Sequence, residues 1–283
     1  MTNKTYIGVD IGGTSIVAAL VVNGNIEKTH QVETKAKESL EIILKQLFSA
    51  IDAVLNADVQ AIGIGCPGFM DAKTGGIIAI NNIPAFQGIN LKNHVVDKYK
   101  LPVFINNDAN CFVLGETYFG AGKGFNHVLG ITLGTGLGGG VIIDRKVFGG
   151  LFGAAGEIGC IPFKDGIVED YTSSHYFANK FNSTGAELFQ KAETGDEVAK
   201  NAFKEVGNNI GHLINTVMYV IAPEMIIIGG SIAKSLKYIE PGIKESLNDF
   251  LFEIVREKVV IKPAELENAG LVGAAALCAS ELE

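Results

Sequence analysis

The sequence predicts an α/β protein built from two lobes. Its 283 residues are enough for two hydrophobic cores, and short apolar runs typical of strands alternate with longer segments of helical period. Each half of the chain opens with two strands joined by a glycine-rich loop, at residues 10–15 and 134–139. The repetition of this pattern indicates an internal duplication.

The first half contains a clear succession of strands and helices. The stretches "TYIGVD" and "SIVAALVV" predict two strands, and the Asn-Gly dipeptide at 23–24 is a typical hairpin turn leading to a third. Apolar residues recur with helical spacing over about 39–56, which predicts a helix. Two further apolar runs, 61–66 and 102–106, predict buried strands, and a helix is expected to begin near Asp108.

The second half repeats this theme around the second glycine loop. Strands are predicted at 127–133 and 139–144, and an irregular segment is then followed by helices that extend to about residue 222. The apolar run 224–230 predicts one more buried strand, which ends in glycines. The last helix, at 269–280, is expected to pack back onto the first lobe.

The boundary between the lobes is expected near residues 117–123. No connecting segment is rich in proline or serine, so the lobes should be joined closely. The sequence therefore predicts a first lobe of residues 1–118 plus 269–283 and a second lobe of residues 119–268.

The composition excludes several classes of protein. The chain is 47% hydrophobic and 19% charged, which is typical of a globular domain rather than a disordered chain. The net charge of −8, with no stripe of lysine and arginine, argues against a nucleic-acid partner. No apolar run is long enough to cross a membrane, and the polar start shows no secretory signal, so we expect a cytoplasmic protein with no membrane partner.

Four cysteines, at positions 66, 111, 160 and 278, are widely spaced and form no Cys-x-x-Cys pair. The spacing indicates neither a zinc ribbon nor a disulfide framework. Taken singly, each cysteine is more simply explained as a small buried hydrophobic residue than as a reactive group.

The loop "DIGGTS" suggests a phosphate site. Glycines at 12 and 13 let the backbone approach a phosphate closely, and amide N–H groups and the hydroxyl of Thr14 can then bind it. Asp10, at the end of the preceding strand, is placed to hold a hydrated Mg²⁺. A plain hairpin turn with a capping aspartate explains the same residues equally well.

The loop "GTGLGG" at 134–139 matches the dinucleotide pattern G-x-G-x-x-G. That pattern requires a helix after the loop, whereas a strand pattern follows here, so the dinucleotide interpretation fails. A second phosphate-binding hairpin fits better, formed by Gly134, Thr135 and Gly136. The glycines of "IIIGGS", Gly229 and Gly230, would supply a third edge of a nucleotide site.

The stretch "FINNDANC" places polar residues where an apolar strand ends and a helix begins. An aspartate or asparagine at that point is an ordinary helix cap. Two amide side chains before Asp108 are harder to explain by capping, and amides offer the donors and acceptors that a polyhydroxyl ligand requires. A carboxylate beside them could accept a proton from an attacking hydroxyl.

Six motifs in this order, "DIGGTS", "GIGCPG", "NNDANCFVLGE", "GTGLGGG", "GEIG" and "IIIGGS", resemble those of the ROK family (repressors, open reading frames and sugar kinases). The resemblance runs from Asp10 to about Gly230. It implies a two-lobed actin-like ATPase (ribonuclease H-like) fold with a central cleft, which would bind ATP with Mg²⁺ and a sugar. It also suggests a homodimer.

The resemblance assigns roles to individual residues. Asp108 lies at the position of the family's general base and Asn107 at that of a sugar ligand. Glu157 of "GEIG" matches a sugar-binding glutamate, and Glu169 matches the glutamate of an E-x-x-x-S segment that ends at Ser173. Asn82 of "NNIP" lies in a loop that lines the family's sugar pocket.

Cys160 departs from the pattern of the zinc-containing members of the family. Those members have a histidine at this position, followed by a loop with three cysteines, whereas this chain has only "IPFKDGIV" before Glu169. A structural zinc needs four nitrogen or sulfur ligands, so we expect no structural zinc. Cys160 is predicted to be a small, weakly polar wall residue of the sugar pocket.

The resemblance implies an ATP-dependent kinase that phosphorylates the terminal (C6) hydroxyl of a hexose, as a glucokinase does. Because Cys160 alters one edge of the predicted pocket, a fructokinase or an N-acetylmannosamine or N-acetylglucosamine kinase is the alternative. A sugar-sensing regulator of the same family is a further alternative. Those regulators carry an N-terminal helix-turn-helix domain, and Asp10 is expected to come too early for one here.

Overall fold

The computed structural model describes residues 4–282 and contains two five-stranded sheets with helices around them. The strands are β1 (Thr5–Ile11), β2 (Ser15–Val22), β3 (Asn25–Glu33), β4 (Ala61–Gly65), β5 (Phe69–Asp71), β6 (Gly76–Ala79), β7 (Val103–Asn106), β8 (Val128–Leu133), β9 (Leu137–Ile143), β10 (Lys146–Val147), β11 (Pro162–Phe163), β12 (Gly166–Ile167), β13 (Met225–Gly229) and β14 (Val260–Pro263). These bounds confirm the predicted strands to within one or two residues.

Nine α-helices and several short 3-10 turns complete the described part of the chain. The helices are α1 (Leu40–Val54), α2 (Leu91–Tyr99), α3 (Asp108–Phe119), α4 (Ser174–Phe181), α5 (Gly185–Glu193), α6 (Glu197–Ile221), α7 (Leu236–Leu247), α8 (Glu253–Arg256) and α9 (Ala269–Leu282). Within residues 4–282, none of them is long and apolar enough to cross a membrane.

The first sheet has the strand order β3-β2-β1-β4-β7. Strands β1, β2 and β3 are antiparallel, whereas β1, β4 and β7 run parallel. The turn between β2 and β3 has φ of 50° at Asn23 and 84° at Gly24, as the predicted Asn-Gly hairpin requires. Strand β4 is buried along its whole length, which explains why its sequence is continuously apolar.

Helices cover both faces of this sheet. The apolar stripe of α1 packs against one face, where Leu47 and Ile51 are fully buried in a hydrophobic cluster. Helix α9 covers the other face and contacts Tyr6, Ala19 and Ala61 through its apolar side chains. Because α3 also packs along α9, that helix is apolar around nearly its whole circumference.

Helix α9 approaches the sheet closely because glycines lie beneath it. A Cβ atom added to Gly8 would stand 2.1 Å from the carbonyl oxygen of Leu271, and one added to Gly63 would stand 1.7 Å from that of Ala274. Any larger residue at these positions would push the helix away. The prediction that the last helix packs on the first lobe is confirmed.

The second sheet has the strand order β10-β9-β8-β13-β14. Strands β8, β13 and β14 run parallel, and all five residues of β13 are buried. Helices α6 and α7 pack against each other over much of their length. The predicted helical region ends at Ile221, one residue before the expected point.

The described chain divides into two compact units. Residues 4–126, 140–156 and 265–282 form the first unit, and residues 127–139 and 157–264 form the second. This division differs from the one predicted from the sequence, because residues 119–126, 140–156 and 265–268 belong to the first unit. The inclusion of 140–156 arises where β9 leads into β10 and a loop, a course that the strand pattern alone does not reveal.

Glu116 ties the end of α3 to the start of the last segment of the first unit. Its side chain is fully buried, and its carboxylate accepts three backbone hydrogen bonds. The N–H groups of Ala121, Glu265 and Leu266 donate them at 2.9, 3.0 and 2.8 Å. A buried carboxylate is tolerated where such donors replace its water.

Replacing Glu116 with glutamine should destabilise the protein. One acceptor oxygen becomes an NH₂ group that faces N–H donors, so at least one charge-assisted bond is lost, at a cost of roughly 2–4 kcal/mol. The free energy of unfolding in urea measures the effect. Glu38→Gln, at an exposed glutamate, is the control. Equal unfolding midpoints for the two variants would contradict this role of Glu116.

Candidate functional site

The parallel strands of the first sheet bring the predicted acidic residues to one edge. In the register of β1, β4 and β7, Asp10 lies opposite Gly65, and Gly65 lies opposite Asn106. All three residues are at the carboxyl ends of their strands, where open α/β sheets bind ligands. Asp108 follows this edge as the first residue of α3.

Asp10 and Asp108 both lie where a negative charge is disfavoured. Partial burial and, to a smaller extent, the negative charge of Asp108 raise the pKa of Asp10 to about 6. Loss of water around its carboxylate also raises the pKa of Asp108, although the N–H of Ala109 opposes this by donating to Oδ1 at 2.9 Å. Asp108 still reaches solvent, so a ligand can contact it. Two nearby carboxylates with raised pKa values form a site suited to a cation and to proton transfer.

A network of amides fixes the turn that carries Asp108. Asn107 caps α3, with its Oδ1 accepting from the Ala109 N–H at 2.9 Å and its Nδ2 donating to the Gly68 carbonyl at 3.3 Å. The buried Asn106 accepts from the Asn107 N–H and from Asn110 Nδ2, both at 2.9 Å. Capping therefore does explain Asn107, contrary to the expectation, whereas Asn106 supports the turn without capping the helix.

The first glycine loop is also held internally. The Gly12 N–H donates to the Ser15 carbonyl at 2.9 Å, so this amide is occupied within the hairpin. Thr34 fastens the loop from outside, with its hydroxyl donating to the Gly12 carbonyl at 2.6 Å. Gly13 and Thr14 are exposed at the tip. Asn82, predicted to line a sugar pocket, lies beside this tip, with its Cβ 3.4 Å from the position of a Cβ on Gly13.

In the second unit, the two predicted glycine edges lie together. Strands β8 and β13 are parallel, with Gly229 opposite Thr132. Gly230 lies against the backbone of Leu133, since an added Cβ would be 2.3 Å from the Leu133 carbonyl oxygen. The Gly134 N–H donates to the Gly136 carbonyl at 3.0 Å, as in a tight turn, while Thr135 is exposed.

Glu169 is anchored to the second glycine loop. Its Oε2 accepts a hydrogen bond from the Leu137 N–H at 2.8 Å, and a Cβ on Gly136 would lie 2.4 Å from the same oxygen. Glu169 lies in a 3-10 turn, Val168–Tyr171, whose end leads to Ser173. Ser173 is buried and caps α4 by accepting from the His175 N–H, so its hydroxyl has a structural role.

Glu157 and Cys160 flank a second 3-10 turn and lie near Glu169. The Cys160 N–H donates to the Glu157 carbonyl at 3.1 Å. Partial burial raises the pKa of the Cys160 thiol, and the charges of Glu157 and Glu169 raise it further. The structure thus brings together three residues that the sequence placed in one sugar pocket.

The expectation that each cysteine is buried holds for three of the four. Cys66, Cys111 and Cys278 are buried, whereas Cys160 is exposed. The general expectation is therefore wrong for Cys160, because its turn carries the side chain to the surface beside the two glutamates.

The segment between Cys160 and Glu169 forms a two-stranded hairpin, β11 and β12. Across residues 4–282, no group of three or more histidine, cysteine, aspartate or glutamate side chains is arranged to hold a metal ion. A Mg²⁺ ion held mainly through water needs few protein ligands and is not excluded by this finding.

Two features of these sites were not predicted from the sequence. Gly270, in the first turn of α9, lies beside Asp10, with an added Cβ 3.5 Å from Asp10 Oδ2. Lys164, in the turn between β11 and β12, has φ of 54° and points its ammonium group at aromatic rings. The contact between Gly270 and Asp10 joins residues far apart in sequence, so no local pattern predicts it. The position of Lys164 did carry a local signal, because the sequence places this cation between Phe163 and an acidic turn.

The chain is similar in sequence to known proteins over almost its whole length. The ROK family model matches residues 6–281. The glucokinase of Streptomyces coelicolor is 33% identical over 308 residues, which cover 96% of this chain and 96% of that protein. A xylose repressor of Caldicellulosiruptor bescii is 27% identical over 316 residues, covering 98% of this chain and 79% of the repressor.

Solved structures show the same fold. A ROK family glucokinase from Streptomyces griseus, in complex with glucose and AMPPNP, has a TM-score of 0.79 and 32% identity, covering 96% of this chain and 98% of that one. A Listeria monocytogenes protein proposed to be an N-acetylmannosamine kinase has a TM-score of 0.82 and 28% identity, covering 99% and 100% of the two chains. These similarities confirm the predicted actin-like ATPase fold.

Asp10→Asn should stabilise the ligand-free protein at neutral pH. The folded-state pKa of Asp10, about 6, lies above its unfolded value, so its contribution to stability falls as pH rises from about 4 to 6. Asparagine does not ionise, so the variant avoids this fall in stability. At pH 7 its free energy of unfolding should be higher than that of wild type by roughly 1–3 kcal/mol, and near pH 4 the difference should vanish. Urea unfolding at both pH values, in EDTA and without nucleotide, measures it. A variant that is less stable than wild type at pH 7 would contradict the prediction.

Proposed function

Because the chain belongs to the ROK family, we propose that it transfers the γ-phosphoryl group of ATP to the terminal (C6) hydroxyl of a hexose, in the manner of a glucokinase. The observation that carries this proposal is Asp108, a solvent-accessible carboxylate of raised pKa at the end of a strand and the start of a helix. The similarity to glucokinases, one of them with bound glucose and AMPPNP, supports it.

Asp108 would act as the general base. Its raised pKa makes the ionised carboxylate a better proton acceptor than an ordinary aspartate. The sugar hydroxyl would donate its hydrogen bond to this carboxylate and attack the γ-phosphate in line. Phosphoryl transfer needs little covalent chemistry from the protein, so positioning and charge neutralisation supply most of the rate.

The glycine loops would bind the phosphates. Thr14 and Thr135 offer exposed hydroxyls, and Gly13 and Gly136 lie at the same loops, with Gly229 and Gly230 beside the second. The internal bonds of Gly12 and Gly134 indicate that these two residues shape the loops rather than donate their own amides. Asp10 would hold Mg²⁺ through its water shell, and the ion would neutralise charge on the phosphates.

The sugar would be bound by Asn107, Asn82, Glu157 and Glu169. Glu169 already uses Oε2 to accept from the Leu137 N–H, which fixes its orientation and leaves Oε1 to accept from a sugar hydroxyl. Asn107, capped onto α3 and tied to Gly68, would present the remaining hydrogen of its amide. Fixed side chains of this kind lower the entropic cost of binding a flexible polyhydroxyl ligand.

A different sugar is the main alternative. Cys160 is exposed beside Glu157 and Glu169, and a thiol is a weak hydrogen-bond partner for a sugar hydroxyl. This observation favours a second candidate function, phosphorylation of fructose or of an N-acetylated hexosamine by the same mechanism. A sugar-sensing role without turnover is a third, supported by the similarity to a xylose repressor and opposed by the net charge of −8.

Asp108→Asn is expected to lower kcat at least ~100-fold while leaving sugar affinity nearly unchanged. Asparagine keeps the shape of the side chain and can still accept from Ala109, but it cannot take a proton. Coupled ADP release gives kcat, and calorimetric titration gives the sugar Kd. Asp97→Asn, at an exposed aspartate of α2, is the control. Normal turnover by the Asp108 variant would refute its role as base.

Glu157→Gln is expected to raise the KM for the sugar about tenfold, since a charged acceptor for a sugar hydroxyl becomes a neutral amide. The KM for ATP should stay within about twofold of wild type, because this contact is made to the sugar alone. Steady-state kinetics with each substrate varied in turn separate the two. If only the KM for ATP changes, Glu157 does not bind the sugar.

A further inference from the structure

The segment from Glu157 to Ser173 carries Glu157, Cys160 and Glu169 but contains little regular structure. Its elements are two 3-10 turns and a hairpin of two-residue strands. A segment this irregular keeps a fixed geometry only if other contacts hold it. The contacts that do so are made by residues to which the proposed function gives no role.

The hairpin links the two glutamates through the backbone. Pro162 pairs with Ile167 and Phe163 with Gly166, and the Val168 N–H donates to the Ile161 carbonyl at 3.0 Å. The turn that follows Glu157 therefore leads directly into a ladder that ends at the turn bearing Glu169. The hairpin is thus the backbone connection between the two turns that bear these glutamates.

Lys164 fastens this hairpin to α6. Its Nζ donates to Asn209 Oδ1 at 3.0 Å. Asn209, only 3% exposed, in turn donates from Nδ2 to the Tyr171 carbonyl at 3.0 Å. One buried amide thus joins the tip of the hairpin to the last residue of the turn that holds Glu169.

Aromatic rings complete the attachment. Lys164 Nζ lies 4.5 Å from the centroid of the Tyr171 ring and 5.0 Å from that of Phe163, which are distances of cation–π contact. The two rings meet edge to face at 5.6 Å. The Tyr171 hydroxyl donates to Asp165 in the same turn as Lys164.

Lys164 adopts a backbone conformation that favours glycine or asparagine. Its φ of 54° lies in the left-handed region, which is unfavourable for a residue with a branched or long side chain. The strain persists because the side chain makes the hydrogen bond and the two ring contacts described above.

We propose that Lys164 and Asn209 are positioning residues for the sugar site, holding the hairpin on α6 so that Glu157, Cys160 and Glu169 keep their mutual geometry. This inference rests on the proposed function for its effect on sugar binding. The effect on the segment itself does not depend on that function.

The test compares Lys164→Met with Lys164→Arg and with Lys237→Met. Arginine keeps the positive charge, the N–H donors and the ring contact, so this variant should retain the wild-type sugar KM and alkylation rate. Lys237 is the matched control, because its ammonium also lies over two rings, Phe189 and Tyr238, and pairs with a glutamate on the surface of the same unit. The readouts are sugar KM, ATP KM, kcat and the rate at which iodoacetamide alkylates Cys160, the exposed cysteine of the four.

For Lys164→Met we expect the sugar KM to rise about fivefold or more and the Cys160 alkylation rate to rise about threefold or more, with ATP KM nearly unchanged. Lys164→Arg and Lys237→Met should behave as wild type. Asn209→Leu should reproduce the Lys164→Met result, and the double variant should add little, because both residues act through one contact.

Two results would overturn the proposal. If Lys164→Met leaves both the alkylation rate and the sugar KM unchanged, the contacts of Lys164 do not hold the segment in place. If the sugar KM and the ATP KM rise equally, the substitution causes a general loss of structure. If the wild-type protein phosphorylates no sugar, the proposed function fails, and the alkylation rates alone then decide whether Lys164 positions the segment.

Discussion

The close approach of the last helix to the first sheet is the constraint on which the first unit depends. Helix α9 lies on β1 and β4 at Gly8 and Gly63, where no side chain would fit between helix and strand. This contact buries nearly the whole surface of α9 and places its first turn, with Gly270, beside the carboxylate of Asp10. The packing of a structural helix thus determines how much water surrounds a functional carboxylate.

The cost of that environment explains how the site would work. Asp10 and Asp108 both lose solvation, and Asp10 also faces the negative charge of Asp108, so both have raised pKa values in the free protein. A cation with bound phosphates would relieve this repulsion, and part of the unfavourable electrostatic energy would then be recovered on binding. In the second unit, the irregular segment from Glu157 to Ser173 is held in place by Lys164, Asn209 and two aromatic rings.

The sequence was sufficient to predict strands β1–β4, β7–β9 and β13 and helices α1, α3 and α9, but not the other strands of the described chain. The spacing of apolar residues, the turn residues and the ends of strands are local signals. Predictions from them are confirmed for the Asn23-Gly24 turn and for the strand that ends before Asp108. Two kinds of feature were not predictable: contacts between residues distant in sequence, such as Gly270 beside Asp10, and the way in which a turn closes. The capping role of Asn107, the occupied amide of Gly12 and the exposure of Cys160 depend on how a turn closes.

The central claim is that this chain is a kinase acting on a hexose. The most direct measurement is the rate of ADP formation from Mg-ATP with glucose, mannose, fructose, N-acetylglucosamine and N-acetylmannosamine. Protein stripped with EDTA and returned to Mg²⁺ serves as the control for bound zinc. The account predicts sugar-dependent ADP formation, fastest with glucose and unaffected by stripping. A preference for another of these sugars would contradict the glucokinase assignment, and no turnover with any of the five would contradict the central claim.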